Sequence, residues 1–127
     1  MKVPLPSVDL ILKLDAEYRD KTAAGRLNKI APRKLNPENA AWLPILHTVR
    51  EGWRCTVLFS NTQRAHDLGK TNDWVVVYCD DGNGEQKCTV VTEHQGPLAG
   101  KRVVRGREKE CEAVAGFKSD EEFPAGS

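Results

Sequence analysis

The stretch DWVVVYCDDGNGEQKCTVVTE, residues 73–93, carries two valine-rich runs on either side of Asn83-Gly84. Valine favours extended backbone and Asn-Gly favours a type I′ turn, so this stretch predicts a β-hairpin. Because both faces of the hairpin are rich in valine, we expect it to lie at the centre of a sheet. The turn predicts a register that pairs Asp80 with Lys87, Cys79 with Cys88, Val77 with Val90 and Val76 with Val91.

A second hairpin is predicted in WLPILHTVREGWRCTVLFS, residues 42–60, around a two-residue turn at Glu51-Gly52. This turn puts His47 opposite Thr56 and Leu46 opposite Val57. Alternation along the strands then predicts two different faces. One is apolar and holds Leu46, Cys55, Val57 and Phe59; the other is mixed and holds Leu43, Ile45, His47, Arg54, Thr56 and Leu58.

The segment SNTQRAHDLG between the two hairpins predicts a short helix. Ser60 and Gln63 have the spacing of a capping box, and Gly69 supplies the stop. Ala65 and Leu68 lie three residues apart, so we expect both to reach the core.

The N-terminal stretch PSVDLILKLDAEYRDKTAAG predicts a long helix that begins after the N-cap residue Ser7 and ends at Gly25. Residues 26–41 are expected to form a long surface loop, and Arg102–Val104 a short strand. The predicted fold class is therefore α+β, with the long N-terminal helix packed on an antiparallel sheet built from two β-hairpins joined by a short helix. We expect a single domain over residues 1–112 and a loose acidic tail over 113–127.

The composition limits the class of protein. The chain has 127 residues and a net charge of +1, which fits one domain that is not strongly basic overall. It shows neither a signal peptide nor an apolar run long enough to span a membrane, and its four cysteines have no CxxC spacing. We therefore expect a cytoplasmic protein with reduced thiols and no membrane contact.

Basic side chains collect in separate segments, and these are the strongest functional signal in the sequence. Arginine in a flexible segment suits phosphate oxygens because its planar fork binds two of them at once. Composition alone supports an ordinary solvated rim equally well. The predicted phosphate contacts are Arg33, Lys34, Arg64, Lys70, Lys101, Arg102, Arg105 and Arg107, with His47 and His66 as polar contacts.

Two alternatives to nucleic-acid binding stay open. Glu85-Gln86-Lys87 with upstream Asp73 faintly matches the D…ExK pattern of metal-dependent nucleases, whose two carboxylates converge on a divalent ion. That pattern would make the chain a phosphodiester hydrolase. A protein-interaction module would instead use the mixed sheet face. No histidine or cysteine has metal-ligand spacing, so we predict no metal or other cofactor and favour a binding module over an enzyme.

Several stretches, taken together, resemble a domain of bacterial DNA-associated proteins. They are PSVDLILKLDAEYRDKTAAGRLNKIAPRKLNPENAAWLPILHT, LFSNTQRAHDLGKTNDWVVVY, CTVVTE and GPLAGKRVVRGREKEC. In those proteins the domain follows helix-hairpin-helix repeats of the type seen in family X DNA polymerases. The resemblance implies a DNA-related context, with DNA rather than RNA as the nucleic acid and a helix-hairpin-helix protein or domain as a partner. This chain itself contains no helix-hairpin-helix repeat, whose backbone amides would grip DNA phosphate.

Overall fold

A computed structural model describes residues 5–113 of the chain, and within them it confirms the predicted α+β class. A further helical stretch occupies residues 108–113, and the predicted tail from residue 114 onward lies outside the described residues. The elements in chain order are α1 (Val8–Ala23), β1 (Lys29–Ile30), β2 (Leu43–Arg50), β3 (Trp53–Phe59), α2 (Gln63–Asp67), β4 (Val75–Asp80), β5 (Glu85–Thr92), a 3-10 turn (Gly96–Leu98) and β6 (Arg102–Val104).

The ends of α1 are those that the sequence predicts. The Ser7 hydroxyl accepts a hydrogen bond from the Leu10 backbone N–H at 3.1 Å, which satisfies one of the free donors of the first turn. At the other end, the N–H groups of Gly25 and Arg26 bond back to carbonyls of the last turn. The helix is therefore closed by local hydrogen bonds at both ends.

One face of the sheet is covered by α1, and we call it the inner face. Leu10, Ile11, Leu14 and Tyr18 are all buried against it. The Tyr18 hydroxyl donates to the Pro44 carbonyl at 2.6 Å and accepts from the Phe59 N–H at 3.0 Å. These two bonds fix the helix to strands β2 and β3.

The strands form a single antiparallel sheet whose spatial order, β1-β2-β3-β4-β5-β6, follows the order of the chain. The predicted register of the β2–β3 hairpin is confirmed, with His47 opposite Thr56 and Leu46 opposite Val57. Its turn places Glu51 at φ 54° and Gly52 at φ 83°. Two successive residues with positive φ are the signature of a type I′ turn, whose twist matches that of the strands.

The predicted register of the β4–β5 hairpin is wrong by two residues. Carboxylate oxygens of Asp80 and Asp81 accept the N–H groups of Gly82 and Asn83, at 2.7 and 2.9 Å. These side-chain bonds open the turn into a four-residue loop and replace the expected Asn-Gly type I′ turn. The observed pairs are Asp80 with Glu85, Tyr78 with Lys87, Val77 with Cys88, Val76 with Thr89 and Val75 with Val90.

The corrected register also changes the environment of the cysteines. Cys79 lies opposite Gln86 on β5, not Cys88, and opposite Cys55 on β3. The Cys55 and Cys79 sulfurs are 3.7 Å apart and both residues are buried. Burial raises the pKa of both thiols.

Two connections differ from their predictions. Residues 26–41 are not wholly a loop, because Lys29 and Ile30 pair with Leu43 and Pro44 as the edge strand β1. In α2 the N-cap is Thr62, not Ser60. The Thr62 hydroxyl accepts the Ala65 N–H at 3.1 Å.

The predicted burial of α2 is half right, since Ala65 is fully buried and Leu68 is 53% exposed. The helix ends after Asp67, so Leu68 falls in the turn and points away from the core-facing stripe. Across residues 5–113, none of the helices combines the length and the apolar character that a membrane span requires.

Candidate functional site

The second face of the sheet, which we call the outer face, is not covered by α1. One row of side chains crosses four strands of this face and consists of His47, Thr56, Tyr78 and Lys87, each opposite the next. His47 and Lys87 are exposed, and Thr56 and Tyr78 are half-buried. The row therefore offers solvent an aromatic ring next to a cation, the two being directly opposed cross-strand neighbours.

The rows on either side of Tyr78 differ in chemistry. Towards one end of the strands, Leu58 pairs with Val76 and forms an apolar strip. Towards the other end the row is charged, and the Arg54 guanidinium lies 3.9 Å from the Asp80 carboxylate. Tyr78 thus separates an apolar part of the outer face from a part with paired charges.

A groove lies over the apolar part of the outer face. It encloses about 290 Å³, and its floor includes Leu58, Val76 and Tyr78. Loop residues 32–34 and residues 60–62, which are bonded to each other, form its wall. Three exposed cations line it, Arg33, Lys34 and Lys87, and none of the described lining residues is acidic.

The loop wall of the groove is held by side-chain hydrogen bonds. Asn61 donates from Nδ2 to the Lys34 carbonyl at 3.0 Å. The Asn61 Oδ1 in turn meets Nε2 of His66 at 2.6 Å, and the His66 ring lies edge-on to Trp42. Asn36 closes the loop on itself by donating to the Pro32 carbonyl at 2.9 Å. His66 therefore supports the wall through Asn61.

A second depression of about 440 Å³ lies on the other side of Tyr78. His47 lines it, and its Nδ1 is 3.3 Å from the Thr56 hydroxyl. Asp80 and Glu85 line it too, so its charge is mixed, unlike that of the groove. Tyr78 contributes to both concave regions.

The predicted contact residues fall into three groups. Arg33 and Lys34 line the groove, and His47 lines the second depression on the other side of Tyr78. Arg64 and His66 lie on α2, where Arg64 is exposed and His66 is bonded to Asn61, and Lys70 lies 3.8 Å from the Asp73 carboxylate. The third group belongs to the segment around β6: Lys101, Arg102, Arg105 and Arg107.

This third group does not form a continuous basic surface. Lys101 and Arg105 are exposed, whereas Arg102 points to the inner face and binds Asp15 and Asp73. Arg107 donates to the Pro6 carbonyl at 2.7 Å and pairs with Glu110. The guanidinium groups of Arg102 and Arg107 are thus bonded to other residues of the chain.

The residues named for a hydrolase do not converge. Asp73 Oδ1 accepts from Thr92 at the end of β5, whereas Glu85 begins the same strand. Seven residues of extended strand separate these ends by about 23 Å. Among residues 5–113, no three His, Cys, Asp or Glu side chains are grouped so that they could hold a metal ion.

Sequence reasoning missed Tyr78 and gave Lys87 a different role. Both lie in the strands of the 73–93 hairpin, where the predicted register placed Lys87 opposite Asp80. The signal that could have found them is the alternation of Val76, Tyr78 and Asp80 on one face. The loop that lines the groove, residues 32–34, is however more than forty positions from Tyr78 in the sequence.

Comparison with known protein families, with curated protein sequences and with solved structures finds no match. The resemblance to the domain that follows helix-hairpin-helix repeats therefore stays a prediction.

Proposed function

We propose that the chain is a nucleic-acid-binding accessory module that contacts the phosphate backbone through the outer face of its sheet and has no catalytic role of its own. The observation that carries the proposal is the convergence of Arg33, Lys34 and Lys87 on a groove with no described acidic lining residue. Cations that converge without carboxylates attract a polyanion, even on a protein whose net charge is only +1.

The three cations of the groove differ from two other cations of the chain, which are in ion pairs. Arg54 has Asp80 and Lys70 has Asp73 within ion-pair distance. Within the described residues, no hydrogen bond or ion pair engages the side chains of Arg33, Lys34 or Lys87. Among residues 5–113, these three groups therefore have no ion pair to break before they bind phosphate.

The identity of the nucleic acid rests on the resemblance in the sequence. That resemblance favours DNA over RNA and a helix-hairpin-helix protein or domain as the partner. In such an arrangement the repeats would grip the backbone and this module would add contacts beside them.

A salt titration tests the proposal. Fluorescence anisotropy is measured with labelled single-stranded and duplex DNA over a range of sodium chloride concentrations. Three phosphate contacts predict a fall of log affinity with log salt of slope about −2 to −3. Arg33→Gln, Lys34→Gln and Lys87→Gln should each weaken binding and make this slope shallower. Lys13→Gln on α1 is the matched control, because Lys13 lies in the helix that covers the inner face.

The outcomes separate the alternatives. The proposal is overturned if neither DNA binds at low salt with roughly 100 µM protein, the weak end of non-specific binding. Cleavage of DNA in magnesium or manganese that is lost in Glu85→Ala, Asp73→Ala or His47→Ala would favour the hydrolase. Capture of a protein partner by a chain that binds no DNA would favour the interaction module.

A further inference from the structure

The floor of the groove is chemically different from its rim. Leu58 and Val76 are apolar, and the half-buried ring of Tyr78 adjoins them. Phosphate gains nothing from such a floor, because a charged group loses hydration against apolar side chains. A flat aromatic group gains both apolar burial and stacking there.

We propose that the groove receives one unpaired base, which stacks against Tyr78 while the neighbouring phosphates lie on Arg33, Lys34 and Lys87. The chain therefore prefers single-stranded nucleic acid to duplex. This inference rests on the proposed function and specifies the class of nucleic acid that the groove binds.

The register supports this division of roles. Tyr78 and Lys87 are directly opposite on adjacent strands, so a cation stands next to the ring. Arg33 and Lys34 project from the loop on the wall of the same groove. A base on Tyr78 thus has cations on two sides, as a strand with phosphates before and after each base requires.

Access excludes a paired base. The groove, at about 290 Å³, lies just below the roughly 300 to 1,000 Å³ of ligand pockets, so it suits a small flat group. The bases of a duplex are stacked on one another and expose only their edges, so a ring on a sheet face cannot reach them. An unpaired base offers its face at a lower cost, because no base pair is broken.

The polar groups of the wall are already engaged, which bears on selectivity. Asn61 uses its amide for the Lys34 carbonyl and its Oδ1 for His66. The Thr62 hydroxyl accepts the Ala65 N–H. These bonds leave the wall few free groups for reading base edges, which suits stacking without strong sequence preference.

Replacement of Tyr78 tests the inference. Anisotropy is measured with a mixed-sequence single strand and with the duplex made from it, at one low salt concentration. Tyr78→Leu should weaken single-strand binding about 5- to 100-fold, because stacking on an aromatic ring is lost. Tyr78→Phe keeps the ring and should bind like the parent. Val49→Ala, at a 63% exposed outer-face position beside the other depression, is the matched control.

The readings distinguish this inference from the proposed function. If the duplex binds as tightly as the single strand, or if Tyr78→Leu binds like the parent while Arg33→Gln and Lys34→Gln are weak, the base site is overturned and phosphate binding stands. If no nucleic acid binds, both proposals fail. A urea transition of Tyr78→Leu that starts from the native state under the assay conditions shows that lost binding is not lost folding.

Discussion

Arg102 on β6 grips the carboxylate of Asp15 on α1 with two donors, Nη2 to Oδ1 at 2.9 Å and Nε to Oδ2 at 3.2 Å. The Asp15 side chain is only 1% exposed and that of Arg102 15%. A fork-to-fork pair of this kind is strong and directional. It joins the N-terminal helix to the last strand of the sheet.

Removal of Arg102 should destabilise the fold. In Arg102→Met the buried Asp15 carboxylate keeps only Arg19, whose side chain is 42% exposed. Removing one partner of a buried ion pair costs about 3–5 kcal/mol, and because Arg19 remains we expect a loss at the lower end, about 3 kcal/mol in the free energy of unfolding. Urea denaturation measures this loss. Lys13→Gln, which removes an exposed pair with Asp9, should leave the midpoint unchanged.

The same variant separates structure from binding. Because Arg102 lies on the inner face, folded Arg102→Met should bind nucleic acid like the parent under conditions where both are native. A selective loss of affinity in this variant would instead make Arg102 a phosphate contact.

Stability should fall at alkaline pH through Tyr18. Burial raises the pKa of Tyr18 to about 12 from its ordinary value of 10.0. The unfolded chain ionises first, so the contribution of Tyr18 is fully present below pH 10 and is lost as the pH rises towards 12. Urea unfolding at several pH values across this window measures the decline.

Tyr18→Phe is the companion variant. It leaves the Pro44 carbonyl and the Phe59 N–H without their hydroxyl partner and should cost about 1–3 kcal/mol at neutral pH. Its deficit relative to the parent should shrink as the pH rises above 10. A deficit that stays constant would show that ionisation of Tyr18 does not drive the alkaline loss.

The β2–β3 turn offers a stabilising change. Glu51 sits at φ 54°, where a side chain with Cβ is strained and asparagine is favoured. Glu51→Asn should raise the free energy of unfolding by about 0.5–1 kcal/mol. Gly52→Ala, at φ 83°, should lower it. The turn assignment fails if both changes move the urea midpoint in the same direction.

The four cysteines should differ in reactivity. Burial raises the pKa of every thiol, and only Cys88 is half-buried rather than buried. Because the thiolate is the nucleophile, alkylation by iodoacetamide should be slow at pH 8 and faster at higher pH. Mass spectrometry should find Cys88 labelled first, and all four labelled quickly in urea. Early labelling of Cys79 would contradict its buried position.

The two hairpins show what the sequence determines and what it does not. Glu51-Gly52 fixes its turn through backbone preference alone, so the register of β2 and β3 follows from local chemistry. At Asn83-Gly84 the same preference is overruled, because two preceding aspartates bond to the turn backbone. The Asn-Gly turn and the aspartate-bonded loop are both local patterns, and which of them forms depends on how the flanking strands pair.

The candidate site was only partly predictable for a related reason. Arg33 and Lys34 stand out in the sequence as cations in a loop, and the structure brings them over the outer face. Their proximity to Tyr78 depends on Asn61, which ties the loop to the start of α2. Arg102 is the opposite case. Its charge predicts a surface position, but its bond to Asp15 holds the side chain on the inner face.

The order of the sheet has a consequence for the newly made chain. Each strand pairs with its neighbour along the sequence, so the sheet can grow one hairpin at a time as the chain leaves the ribosome. The helix α1 emerges first, but Asp15 meets Arg102 only 87 residues later. A lone 16-residue helix is marginal in water, so α1 should gain stability as the strands it packs on are synthesised, and its bond to Arg102 completes last.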